Sequence, residues 1–107
     1  LGADTLLVGV KKNYFDNKQI SITTFPNPFN DNITFRIPLK QKTDVEISIY
    51  DLLGKQLYYK KLLNQSNSLI DFQWDGKSTY GQPLSKGVYM YKVQTNHFIK
   101  ESKVVKD

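Results

Sequence analysis

Apolar and polar positions alternate with period two through most of the chain. Residues 44–51 carry the cleanest case, with Val45, Ile47 and Ile49 set against Glu46, Ser48 and Tyr50. Such alternation sends one set to a buried face and the other to solvent, which is the signature of a half-buried strand. The same reading predicts strands over 19–25 (Ile20, Ile22 and Thr24 on one face), 32–37 (Ile33, Phe35 and Ile37 inward) and 56–62. In the last of these, Leu57 and Tyr59 fall on one face, Tyr58 and Lys60 on the other. Further strands follow at 69–74 (Ile70, Phe72, Trp74), 87–93 (Tyr89, Tyr91, Val93) and 98–106. An apolar run at 5–10 fits a first strand, a hairpin arm or a packed linker.

Turn chemistry separates these runs. Pro26-Asn27-Pro28-Phe29-Asn30-Asp31 predicts a rigid corner, because two prolines fix φ and Asn and Asp suit turns; Phe29 is placed to plug the end of a core. Asp51-Leu52-Leu53-Gly54-Lys55 predicts a tight connection with Gly54 at a positive φ. Residues 64–68 and Thr95-Asn96-His97 read as turns. Residues 74–93 organise the whole: an aromatic strand ends at Trp74-Asp75-Gly76, and a polar loop leads to a second aromatic strand. The spacing Leu84, Gly87, Tyr89 fits a tyrosine corner, in which a Tyr near a strand start bonds backbone just upstream in an immunoglobulin-like sandwich. The predicted fold is therefore all-β, an immunoglobulin-like antiparallel β-sandwich of about seven strands. Phe35, Ile47, Ile49, Trp74, Tyr89 and Tyr91 are its expected core. Residues 19–107 form the domain and residues 1–18 a linker or extra strand joining an upstream protein.

Composition narrows the function more by exclusion than by suggestion. A chain of 107 residues supports one modest core. With no cysteine, disulfide and thiol chemistry are excluded, though the compartment is not fixed by that. No apolar run is long enough to span a membrane as a helix. The net charge of +5 is spread along the chain without a dense basic cluster, so no nucleic-acid partner is expected. Lysines on strand edges discourage edge-to-edge association.

Candidate chemistry is sparse. His97, the single histidine, falls in a predicted turn without a positioned neighbour, and acid–base work needs one. Nucleophile elbows, phosphate-cradling glycine loops and zinc spacings are absent from the sequence. Asn27, Asn30, Asp31, Asp71 and Asp75 carry ligand oxygens suited to Ca²⁺ but match no EF-hand pattern, and turn geometry alone favours these residue types. Tyr50, Tyr58 and Tyr80 offer a face for stacking sugars if they lie together. No catalytic residue, metal or cofactor is expected.

From Phe25 onward four blocks occur in order: Phe25-Pro26-Asn27-Pro28-Phe29-Asn30, Tyr50-Asp51-Leu52-Leu53-Gly54-Lys55, Gly87-Val88-Tyr89-Met90-Tyr91-Lys92-Val93 and Lys103-Val104-Val105-Lys106. In this order they resemble the type A C-terminal sorting domain of Bacteroidetes proteins exported by the type IX secretion system. The resemblance implies an upstream cargo domain, Sec export to the periplasm, and recognition by the translocon and its shuttle and sortase proteins. Delivery to the outer-membrane surface or the medium follows, with the domain cleaved or retained. By the same resemblance, recognition falls to Pro26, Asn27 and Pro28, to Gly87, Val88, Tyr89, Lys92 and Val93, and to Lys100, Lys103, Val104, Val105 and Lys106. Lys92, Lys100, Lys103 and Lys106 are expected to form one outward basic stripe beside an edge. The 74–89 segment is also similar to the Ig-like domain of the flagellar hook-capping protein. A secretion signal, a hook-cap-like adaptor and an ancillary sugar-binding domain of an enzyme are the three uses that fit.

Overall fold

The alternating runs fold as the period-two rule requires. The computed structural model describes residues 20–107; the run at 5–10, the junction over 1–18 and Gln19 lie outside the described residues. Seven strands form: β1 Thr23–Phe25, β2 Ile33–Pro38, β3 Thr43–Tyr50, β4 Gln56–Gln65, β5 Leu69–Trp74, β6 Gly87–Thr95 and β7 Ile99–Lys106. Among the described residues there is no helix. A three-stranded sheet has the order β1-β2-β5 and a four-stranded sheet the order β4-β3-β6-β7, with every neighbour antiparallel. The chain changes sheets between β2 and β3, again between β4 and β5, and again before β6. This is the crossing pattern of an immunoglobulin-like sandwich.

Inward positions of both sheets make one core. Ile33, Phe35 and Ile37 of β2, Val45, Ile47 and Ile49 of β3, Trp74, and Val93 and Val104 are fully enclosed, with Tyr89 and Tyr91 close behind. Trp74 is the hub: its ring centroid lies 5.6 Å from Phe29, 6.0 Å from Tyr58 and, edge-on, 6.2 Å from Tyr89. Its indole N–H donates to the Lys77 carbonyl at 2.9 Å, so burial leaves no unmet donor. Phe35 meets Tyr91 edge-on at 5.0 Å. The tyrosine corner forms as expected, the Tyr89 hydroxyl donating to the Ser85 carbonyl. Gly87 there takes a φ of +150°, which disfavours any residue with a Cβ.

Three local expectations need correction. β1 is only three residues long, with Ile20 buried ahead of it rather than within it. β4 does not alternate simply: Ile49 pairs with Tyr58 while Tyr50 pairs with Gln56, so β4 carries an extra residue in a bulge. Leu57 and Tyr58 both pack against the core in consequence, and Tyr59 faces out to donate a 2.6 Å hydrogen bond to Glu46. Finally, Phe98 belongs to the β6–β7 turn, where it is buried, and its N–H and that of His97 both donate to the Thr95 hydroxyl.

Candidate functional site: the corner and the last strand

Two motifs that stand far apart in sequence meet at one end of the sandwich. β7 is an edge of the four-stranded sheet, and the corner at 26–29 lies along its final residues. The Phe29 N–H donates to the Val105 carbonyl at 2.9 Å, and the Asp107 N–H donates to the Phe29 carbonyl at 2.8 Å. The Asn27 side-chain oxygen accepts the Val105 N–H at 2.9 Å. Phe29 thus makes a parallel bridge to β7 while its ring is buried against Trp74. Both X–Pro bonds of the corner are cis. One side chain plugs the core and one caps the edge, so the corner is locked to the strand that ends the chain's fold.

The pairing also orients the rest of β7. Because Val105 turns its N–H and C=O away from β6, alternation turns those of Lys103, Glu101 and Ile99 the same way. Among the described residues no strand pairs with that stretch of edge.

The expected basic stripe is split. In the β6–β7 register Met90 faces Lys103 and Lys92 faces Glu101, all on the outer surface of the sheet. Val93 faces Lys100 and Gly87 faces Lys106, on the core-side parity. The outer pair is Lys92 and Lys103, with the Lys92 ammonium 5.8 Å from the Tyr50 ring centre. Lys100 and Lys106 instead leave the opposite side at the rim. A Cβ added to Gly76 would lie 2.9 Å from Lys106 Cε, so the lysine stem crosses directly over that glycine. Of the residues that the resemblance assigns to recognition, Tyr89, Val93 and Val104 are core and offer no surface. Pro26, Asn27, Pro28, Val88 and Lys103 are exposed, while Gly87, Lys92, Lys100, Val105 and Lys106 are half-buried.

Beside the corner lies an open cleft of about 330 Å³, lined by Asn30, Asp31, Asn32, Asp75, Gly76, Lys77, Pro83 and Lys106. Asn30, Asp31 and Asp75 from the calcium candidates reach it, facing two lysines. Asp71 sits elsewhere, on the outer face of the three-stranded sheet, in a bidentate pair with Arg36 at 2.8 Å for each bond. That pair holds the Asp71 carboxyl below its usual range: the hydrogen bond from Arg36, helped by its charge, outweighs the opposing loss of solvation. Asn27 is committed to β7. Among the described residues no three acidic or histidine side chains cluster as metal ligands.

The tyrosine face for sugars does not assemble. Tyr58 is turned inward by the β4 bulge, against Phe72 and Trp74, and burial followed by the charge of Asp75 pushes its hydroxyl pKa up. Tyr80 is 91% exposed on the β5–β6 loop, and Tyr50 lies under Lys92. His97 is half-buried in its turn, its Nδ1 3.4 Å from Gln41 Nε2. The capping role of the Asn27 side chain has no sequence signal beyond the presence of an Asn between two prolines.

The fold recurs in solved structures. Dimeric latent PorU from Porphyromonas gingivalis is 26% identical, with a TM-score of 0.65 over 81% of this chain and 9% of its own. PorZ from the same organism, a surface component of the type IX secretion system, is 19% identical, with a TM-score of 0.56 over 81% of this chain and 11% of its own. FlgD from Pseudomonas aeruginosa is 22% identical, with a TM-score of 0.58 over 70% of this chain and 62% of its own. The chain thus spans a small part of the two P. gingivalis proteins and under two thirds of FlgD. No curated protein matches it at a significant level. Residues 23–107 match the family model of the secretion system C-terminal sorting domain, so the chain belongs to that family and serves as a sorting signal of the type IX secretion system, destined for the cell surface or the extracellular space.

Proposed function

We propose that the type IX machinery reads this domain as a folded surface, made by the corner at 26–29 and the open edge of β7. The observation that carries the reading is the lock between Asn27, Phe29 and the end of β7, three hydrogen bonds that join the two marked motifs into one patch. A receptor that pairs with the edge at Ile99, Glu101 and Lys103 gains main-chain hydrogen bonds, the mode of strand addition. Lys92 and Lys103 beside it favour an acidic partner and speed encounter. The cargo joined ahead of residue 19 crosses the inner membrane by the Sec route, and the domain folds in the periplasm. There the translocon, shuttle or sortase proteins meet the patch. Residues 1–18 serve as the junction. The domain acts by being recognised and performs no chemistry of its own.

The test is export of a fluorescent reporter placed between a Sec signal and the whole 107-residue chain in a type IX-competent bacterium. Reporter should reach the surface or the medium. Lys92→Glu with Lys103→Glu should hold it in the periplasm while the melting temperature is kept. An intact fusion that stays periplasmic would sink the reading.

A further inference from the structure

Burial lapses in the middle of β7. Glu101, Ser102 and Lys103 are exposed in succession, between half-buried Ile99 and Lys100 on one side and enclosed Val104 on the other. Their backbone groups point alternately. Lys100 and Ser102 turn N–H and C=O to β6, while Ile99, Glu101 and Lys103 turn three donors and three acceptors outward. The outward row has a fixed end. At Val105 the same groups are already spent, its carbonyl on the Phe29 N–H and its N–H on the Asn27 side chain. A visiting strand therefore has Ile99 to Lys103 to pair with, and no more.

That limit sets the direction of a visitor. In an antiparallel pair, opposed residues exchange both bonds, so three opposed pairs use all the outward groups within Ile99–Lys103. A parallel strand staggers its bonds by a residue either way and has to run past Lys103, towards the level of Asn27. Antiparallel pairing also sets the side chains of opposed residues beside one another on one face. Ile99, Glu101 and Lys103 share the outer face of the sheet, opposite Gln94, Lys92 and Met90 of β6. Lys92 lies over the Tyr50 ring, and among the described residues neither Glu101 nor Lys103 is held in an ion pair. The edge thus displays apolar, acidic and basic side chains in that order, each where a cross-strand neighbour would sit.

We infer that the partner at this edge is an antiparallel strand of a secretion-machinery protein whose alternate residues, from its N-terminal end, are acidic, basic and apolar, matched to Lys103, Glu101 and Ile99. The inference rests on the sorting-signal reading and names the chemistry of the chain that reads the edge. Opposite charges paired across strands stabilise the match, and like charges there oppose a strand with the order exchanged. A second copy of this domain fits less well. Its Glu101 and Lys103 would face Lys103 and Glu101 of the first, but Ile99 would then face Val105, whose backbone groups are committed. Two copies close two pairs where a foreign strand closes three.

The experiment titrates the purified 107-residue chain with capped peptides and follows its amide shifts by NMR. A peptide with the core Asp-Thr-Lys-Thr-Val should move the Ile99, Glu101 and Lys103 amides more than those of Lys100 and Ser102, which already bond β6. The charge-exchanged core Lys-Thr-Asp-Thr-Val should bind about tenfold more weakly, two unlike pairs having become like ones. Glu101→Lys/Lys103→Glu should reverse that preference, which a loss of folding cannot do. N-methylation of the Asp, Lys and Val amides in the first peptide should abolish the shifts. Equal binding of the two cores, or no shift at millimolar peptide, overturns the inference. Tighter binding of the reversed core Val-Thr-Lys-Thr-Asp overturns the antiparallel direction. A dimer at micromolar concentration in sedimentation, lost in Glu101→Lys, overturns the foreign strand in favour of a second copy. An exported parent fusion without peptide shifts overturns the strand chemistry alone. Peptide pairing beside a fusion that stays periplasmic overturns the sorting reading and with it the partner's identity.

Discussion

Replacing Phe29 by alanine separates the corner's anchor from its hydrogen bonds. The backbone bonds from Phe29 to Val105 and Asp107 use no side-chain atoms, so Phe29→Ala leaves the donors and acceptors in place. What is lost is a ring 1% exposed, 5.6 Å from the Trp74 ring and within 3.4 Å of where a Cβ on Gly76 would lie. Truncating a buried phenylalanine costs about 3–5 kcal/mol. The site lies at one end of the sandwich, where a loop and the stem of Lys106 can settle into the space, so about 3 kcal/mol is the expected cost. Each kcal/mol lowers the melting temperature of a domain this size by about 4–8 °C, giving a drop of roughly 12–24 °C. Phe29→Leu keeps most of the apolar volume and should cost about 1.5 kcal/mol or less. Because Trp74 is the sole tryptophan, its emission reports the same event: it should shift to the red in the alanine variant as the indole meets water. Amide exchange at Val105 and Asp107 should accelerate with it. A melting temperature within about 2 °C of the parent, with unshifted emission, would refute the claim that Phe29 ties the corner to the core.

Other outcomes follow from the same contacts. Tyr89→Phe removes the hydroxyl that bonds the Ser85 carbonyl and should cost about 1 kcal/mol, read as a fall of roughly 4–8 °C in melting temperature; no change would show that the tyrosine corner is ornamental. Asp71 should titrate below the ordinary value of 3.8, because Arg36 favours its charged form. Since the folded carboxyl is depressed, the pair's contribution is present above the unfolded value and is lost as pH falls through the folded one. Side-chain NMR should show the midpoint return towards 3.8 in Arg36→Gln, and a midpoint unmoved by that change would contradict the pairing.

Much of this architecture was legible because a half-buried sheet writes its faces into alternate residues. Ile33, Phe35 and Ile37, or Val45, Ile47 and Ile49, needed no partner to be sorted correctly. The tyrosine corner was equally readable, since its donor and acceptor lie four residues apart. β4 failed because a bulge is set by its pairing with β3, and one extra residue carried Tyr58 from the solvent face to the core. The lysine stripe failed for a simpler reason. Positions 100, 103 and 106 are spaced by three, and on a strand that spacing alternates faces. The lock between Asn27 and Val105 spans 78 residues and joins a side chain to a backbone, so no local pattern could announce it.

Site-resolved crosslinking in secreting cells tests the central claim most directly. A photoreactive residue placed at Lys103, on the exposed outer side of β7, should form adducts with proteins of the type IX machinery while the cargo is in transit. The same residue at Gln73, exposed on the outer face of β5 in the other sheet, should form few or none. Adducts at Lys103 that weaken in Phe29→Ala while Gln73 stays silent are the predicted result. Equal labelling at both positions, or labelling at Gln73 alone, would contradict the account of a sorting surface built from the corner and the last strand.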